Sequence, residues 1–285
     1  MSLFASSGPV FLESRRGSHD ESVAIFGVGY DGTASFRPGA RFGPDAIRAA
    51  SVGLETYSPE QDLDLEDINL RDLGNLEIPY GAPGPVVEKT YLATREILGS
   101  SMTPLLLGGE HSISAGALRA VAEKYPDLIL VQFDAHADLR DEYLGEAHNH
   151  ACAMSRCLDV LPSRKLLQVG IRSGTRKEFS IIRSNKTLLP TYPSTLSKEL
   201  ESHQSPIYLT VDMDVFDPGV FPGTGTPEPG GIDWNTFAEL LAAIPAPQLV
   251  AADVMELAPN LDPSGCSSIL AAKVTRELAL RLSLK

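Results

Sequence analysis

The hexapeptide Phe133-Asp134-Ala135-His136-Ala137-Asp138 stands close behind the apolar run Leu128-Ile129-Leu130-Val131 and sets a metal-capable side chain at every second position. In extended backbone, residues i and i+2 point to the same side. Asp134 and His136 therefore face one point at the end of a buried strand, and Asp138 joins them if the chain bends there. A second apolar run, Ile207-Tyr208-Leu209-Thr210-Val211, leads into Asp212 and Asp214. A third, Pro104-Leu105-Leu106-Leu107, ends in Gly108-Gly109-Glu110-His111. Taken singly, an Asp after a strand is an ordinary turn former, and a lone His is an ordinary hydrogen-bonded core residue. Four carboxylates and two imidazoles gathered at three strand ends are a metal site, with room for two ions.

The ligand types narrow the metal. Mixed carboxylate and imidazole donors suit Mn²⁺ and related ions, and the lack of cysteine among them argues against structural zinc. Two-metal sites hold their ions about 3.5–4 Å apart around a shared water. Coordination lowers that water's pKa from 15.7 toward roughly 7–9, which makes hydroxide available at neutral pH.

The rest of the chain sets the frame. Near-continuous apolar segments over 23–28, 104–107, 128–133, 166–171, 207–211 and 249–254 read as strands buried on both faces. Amphipathic stretches over 85–98, 114–125, 234–244 and 267–282 read as the helices between them, with Asp233 and Ser264 as N-caps. That alternation predicts an α/β fold with a parallel sheet covered on both sides. The 285 residues show no repeat and no convincing linker, so a single domain over 1–285 is expected. The formal charge of −13 leaves no basic stripe for phosphates and excludes nucleic acid as a partner. An acidic field can draw in a cationic substrate and metal ions. Cys152, Cys157 and Cys266 fit no zinc or redox spacing and read as reduced thiols of a cytoplasmic protein. The first residues carry no basic, apolar leader pattern, and no run reaches the ~18 apolar residues of a membrane span.

Three motifs together resemble the ureohydrolase (arginase/agmatinase) family: Gly108-Gly109-Glu110-His111-Ser112, Asp134-Ala135-His136-Ala137-Asp138 and Asp212-Met213-Asp214-Val215-Phe216-Asp217-Pro218. Arg37-Pro38-Gly39-Ala40-Arg41-Phe42-Gly43-Pro44 and Asp253-Val254-Met255-Glu256-Leu257-Ala258-Pro259 look like its agmatinase branch. The resemblance implies a three-layer α/β/α sandwich on a mostly parallel eight-stranded sheet, with two Mn²⁺ per chain. It implies His111, Asp134, Asp138 and Asp212 around one ion. Asp134, His136, Asp212 and Asp214 would surround the other. It also implies a homotrimer or homohexamer.

The implied reaction is hydrolysis of a guanidinium C–N bond. Asp138 would orient the attacking oxygen, and Glu256 would pair with the guanidinium nitrogens of the substrate. A histidine after Asp138 would return a proton to the leaving amine. His150 and His148 are both placed for that. His150 with Ala151 fits the family's pattern of one histidine before a small residue, although Cys152 stands where many agmatinases have threonine. A small cationic guanidino substrate, agmatine, is expected from the flanking segments. The acidic pair Asp141 and Glu142 would suit its ammonium tail, whereas Arg140 could meet a carboxylate, as in guanidinobutyrate. Arginine, formimidoylglutamate and a deacetylase-like reaction on one Zn²⁺ are the remaining alternatives.

Overall fold

The computed structural model describes residues 3–4, 8–14 and 23–284. Eight strands form one sheet: β1 (Val23–Val28), β4 (Leu70–Asn75), β5 (Thr103–Gly108), β6 (Ile129–Phe133), β7 (Lys165–Val169), β8 (Leu188–Leu189), β9 (Ile207–Asp212) and β10 (Leu249–Met255). Their order is β4-β1-β5-β10-β9-β6-β7-β8, and every pairing in the sheet is parallel. The short strands β2 (Tyr57–Ser58) and β3 (Leu63–Asp64) form a separate antiparallel pair.

Alternation along the strands divides the core in two. In β6, Ile129, Val131 and Phe133 enter one apolar cluster, and Leu130 enters the other. In β9, Leu209 and Val211 face the first cluster while Tyr208 faces the second. The first cluster is completed by α1 (Gly43–Ser51), α6 (Pro193–Glu201), α7 (Trp234–Ala242) and α8 (Cys266–Ser283). The second is completed by α2 (Pro83–Gly99), α3 (Ser114–Lys124), α4 (Ala153–Val160) and α5 (Arg176–Asn185). The result is the expected three-layer α/β/α arrangement.

Two strands and four helices of this frame escape a reading by apolar runs. Strand β4 alternates buried and half-buried residues and carries Arg71, Asp72 and Gly74, because it is an edge strand. Its Asp72 is buried and receives a two-pronged contact from Arg48 of α1, at 2.7 and 2.9 Å. Strand β8 has only two residues. Helices α1, α4, α5 and α6 are short, and α5 is mostly polar, with only Glu178 and Ile182 buried. Asp233 caps α7 by accepting the Thr236 N–H at 2.8 Å. Ser264 is not the N-cap residue of α8, which is Gly265, but its Oγ accepts the Cys266 N–H at 3.2 Å, and Asp262 accepts the Ser267 N–H at 2.8 Å while also holding Ser264. An acid five residues back reaches the first turn because Gly265 takes a left-handed conformation, φ 78°. All three cysteines are unpaired. Among the described residues no helix is long and apolar enough to cross a membrane.

Candidate metal centre and substrate cavity

Strands β5, β10, β9 and β6 are neighbours at the centre of the sheet; the carboxyl ends of β5, β9 and β6 carry the predicted metal ligands, and that of β10 carries Glu256. This is where open α/β sheets place their ligands. His111 follows β5 in a tight turn that leads into α3. Gly109 makes that turn feasible: a side chain there would lie 1.9 Å from the carbonyl oxygen of Tyr30. Asp212 closes β9, and its carboxylate accepts the Asp214 N–H at 2.9 Å, which folds both acids toward the same side. Asp138 achieves its bend with φ 52°, a left-handed conformation that Asp tolerates better than most residues.

The ligands converge in two groups, His111 with Asp134 and Asp212, and His136 with Asp134 and Asp214. Asp134 belongs to both. His111 Nδ1 lies 3.1 Å from Asp134, 3.2 Å from Asp212 and 3.4 Å from Asp138. His136 Nδ1 lies 2.8 Å from Asp214. The second group does not include Asp212, and Asp138 borders the first through its 3.4 Å approach.

Whether these residues suit a cation is answered by one atom. His111 Nδ1 is fully buried and makes no hydrogen bond among the described residues, with three carboxylates around it. Its other nitrogen, Nε2, is 2.8 Å from Thr210 Oγ1, and that hydroxyl donates to Asp253 at 2.5 Å. A hydroxyl that has given its hydrogen away can only accept. Nε2 therefore carries a hydrogen, and Nδ1 is left facing the acids, which raise the ring well above its ordinary range and favour a proton or a metal ion at that nitrogen. A buried nitrogen among three carboxylates calls for a cation between them.

The titration behaviour of the metal-free chain agrees. Burial, followed by the charges of Asp214 and Asp138, pushes Asp134 up to about 7. Burial and the same kind of crowding by Asp214 and Asp134 raise Asp212 far above the carboxylate range. Burial opposes the charged form of His136, yet Asp214 and its hydrogen bond win and raise it to about 11. Such a cluster gathers protons when no other cation is present.

A polar row lies two residues before the ligands on β6 and β9. Gln168 of β7, Gln132 of β6, Thr210 of β9 and Asp253 of β10 are partners in register across four adjacent strands, and all are fully buried. Gln132 Nε2 donates to Asp134 at 2.7 Å, and Gln168 Nε2 donates to Gln132 Oε1 at 2.7 Å. Thr187 donates to Gln168 in turn, at 2.6 Å. Every member has a partner, so the row costs little to bury and aims Asp134 and His111. The motif spacing does not reveal these residues. Their only signal was a polar side chain inside each otherwise apolar strand. Thr210→Val should keep the fold and weaken metal binding by about 10–100-fold, the usual effect of removing an outer hydrogen-bond partner. A metal titration of the variant checks this, and unchanged affinity would sever Thr210 from the centre.

The ligands open into a cavity of about 280 Å³ lined by His136, Asp138, Asp212, Asp214, His150 and Glu256, with Ser35, Arg140, Tyr143, Thr175, Glu178 and Thr226 also on its wall. His148 does not line it. Glu256 has φ 65°, and its Oε1 accepts the His111 N–H at 2.7 Å. Burial, then the neighbouring Glu110 carboxylate, raises Glu256 well above the ordinary range, so it gains from a cationic ligand. Burial lowers His150, which favours the neutral ring.

Asp141 and Glu142, which the sequence offers either as contacts for the substrate tail or as a solvated loop face, are not in the cavity. Both are exposed, and Asp141 pairs with Lys177 at 2.5 Å. Beside the metal ligands the wall carries another buried acid, Glu178, which caps α5 with Thr175 and accepts the Leu139 N–H at 3.0 Å. Arg140 lies 3.7 Å from Glu178 and stacks over the Tyr143 ring at 4.2 Å.

Known proteins resemble this chain in sequence and in backbone. The model of the arginase family matches residues 21–280. The agmatinase of Halalkalibacterium halodurans is 38% identical over 281 residues, 97% of each chain. The proclavaminate amidinohydrolase of Streptomyces clavuligerus is 34% identical, over 90% of this chain and 86% of the other. The crystal structure of the agmatine ureohydrolase of Thermoplasma volcanium superposes with a TM-score of 0.88 at 32% identity, over 97% of this chain and 94% of that one. Likeness of this extent, in sequence and in backbone alike, makes the chain a member of the arginase family and a ureohydrolase.

Proposed function

We propose that the chain hydrolyses agmatine to putrescine and urea at a centre of two Mn²⁺ ions. His111, Asp134, Asp138 and Asp212 would hold one ion, and Asp134, His136, Asp212 and Asp214 the other. When bound, the ions supply hydroxide at neutral pH by acidifying water. The observation that carries the reading is Glu256, a carboxylate raised by burial that lines the same cavity as the metal ligands. Glu256 would receive the guanidinium nitrogens in a charge-assisted contact and present the central carbon to the nucleophile. Asp138 would orient the attacking oxygen through the carboxylate edge that faces the cavity. The tetrahedral carbon collapses by breaking the C–N bond to the alkyl chain once that nitrogen is protonated. His150, neutral at rest and on the cavity wall, would take a proton from the oxygen that has added to the carbon and deliver it to that nitrogen.

The tail is the less constrained end. Glu178 offsets the charge of Arg140, which leaves the wall tolerant of an ammonium group and supports agmatine. A second reading has a specific basis: Arg140 is itself on the wall, and its free donors could take a carboxylate, as in guanidinobutyrate. Urea release from agmatine, arginine and guanidinobutyrate, each with Mn²⁺ and with chelator, separates them. Metal-dependent urea from agmatine is expected. Urea from guanidinobutyrate alone would transfer the substrate assignment to the second reading. We place the enzyme in the cytoplasm, as one domain assembling into a homotrimer or homohexamer; its three unpaired cysteines suit a reducing compartment.

A further inference from the structure

Glu110 is buried at the end of β5, beside a metal ligand, yet it belongs to neither ligand group. Its carboxylate is spent elsewhere. It accepts the Thr33 N–H at 2.7 Å, the Thr33 hydroxyl at 2.6 Å and the Ser112 hydroxyl at 2.5 Å. Thr33 stands in the loop after β1, and this grip ties the loop to the floor of the site.

The hydroxyl of Thr33 has one hydrogen, and Glu110 takes it. Its oxygen can then only accept. Two nitrogens of His150 approach that oxygen, the backbone N–H at 3.0 Å and ring Nδ1 at 3.1 Å. Nδ1 must carry a hydrogen to make the contact. A neutral imidazole with hydrogen on Nδ1 has its lone pair on Nε2. Nε2 lies 3.2 Å from Ser35 Oγ, and Ser35 and His150 both line the cavity. The Tyr143 ring stands edge-on to the imidazole, with centroids 6.3 Å apart, and limits its rotation. The device mirrors the one at His111, where Thr210 and Asp253 hold the opposite nitrogen.

We propose that Thr33 is a positioning residue for the reaction: anchored on Glu110, it holds His150 as the Nδ1–H tautomer and leaves Nε2 as the nitrogen that exchanges protons with the substrate. The inference rests on His150 being the proton carrier. Thr33 itself touches no reacting atom.

The test combines a spectroscopic and a kinetic arm on the full-length chain. With histidine labelled in ¹⁵N and diamagnetic Zn²⁺ in the centre, long-range proton–nitrogen spectra report the tautomer, His150 being assigned by its absence from His150→Ala. Wild type should show a protonated Nδ1 and a bare Nε2. Thr33→Val keeps the shape and the backbone N–H but has no acceptor, and it should lose that preference. With Mn²⁺, Thr33→Val should lower kcat about tenfold with little change in KM, a part of the effect of the general acid it serves. Thr33→Ser should restore the rate, and Thr33→Val should add nothing in a His150→Ala background. A bare Nδ1 in wild type, or an undiminished Thr33→Val effect without His150, would overturn the proposal. Wild-type turnover in His150→Ala would instead remove the proton-carrier reading, and with it any catalytic consequence of Thr33.

Discussion

Replacing Asp134 with alanine is expected to empty both metal positions and to lower urea release by more than about a thousandfold, since water would regain a pKa near 15.7. Asp134 is the residue shared by the two ligand groups, and its carboxylate lies 3.1 Å from His111 Nδ1. The remaining acids cannot substitute for it. Asp212 and Asp214 are fixed by the turn between them, and Asp138 is held by its own left-handed backbone. The substitution also takes one acceptor from Gln132 Nε2, which retains its 3.1 Å contact with the His136 carbonyl, while Oε1 keeps the Gln168 amide. A modest loss of stability should accompany the loss of metal, about 1–3 kcal/mol for one weakened buried donor. Elemental analysis after dialysis reads the metal directly, with thermal unfolding as the control for folding. Two ions per chain in the variant would break the ligand scheme.

Removing the His150 ring should act on rate alone. His150→Ala is expected to slow turnover by about 10²–10⁴-fold, the usual contribution of a positioned general acid. Both ions should remain, because the ring bonds to Thr33 and Ser35 and to none of the metal ligands. Loss of metal in this variant would refute the assigned role. The same substitution at His148 should leave turnover near wild type, since that side chain lies off the cavity.

The six metal-ligand candidates were legible in sequence because period-two spacing at strand ends survives without any knowledge of the partners. Asp134 and His136 needed only an extended strand, and Asp212 with Asp214 needed only a turn. Asp138 needed a bend that the sequence allows but does not announce, and the structure supplies it at φ 52°. The row of Gln168, Gln132, Thr210 and Asp253 was illegible for a physical reason. Its meaning lies in register between strands that are far apart in the chain, such as Thr210 opposite Asp253. The hold of Glu110 on Thr33 and His150 is hidden for the same reason, with 77 and 117 residues separating the partners. Asp141 and Glu142 read in the sequence at least as well as a solvated loop face, and Asp141 pairs there with the surface Lys177. The sheet's interior strands were plain from their unbroken apolar runs. Its edges were not, because β4 alternates and β8 is two residues long.

The most direct test of the whole account is a metal titration of the stripped, full-length chain, following bound Mn²⁺ per chain and urea released from agmatine in the same samples. The account predicts no urea without metal and activity that reaches its plateau as the second ion per chain is bound. Full activity in the stripped chain, or a plateau after a single ion, would contradict a two-ion centre built around Asp134.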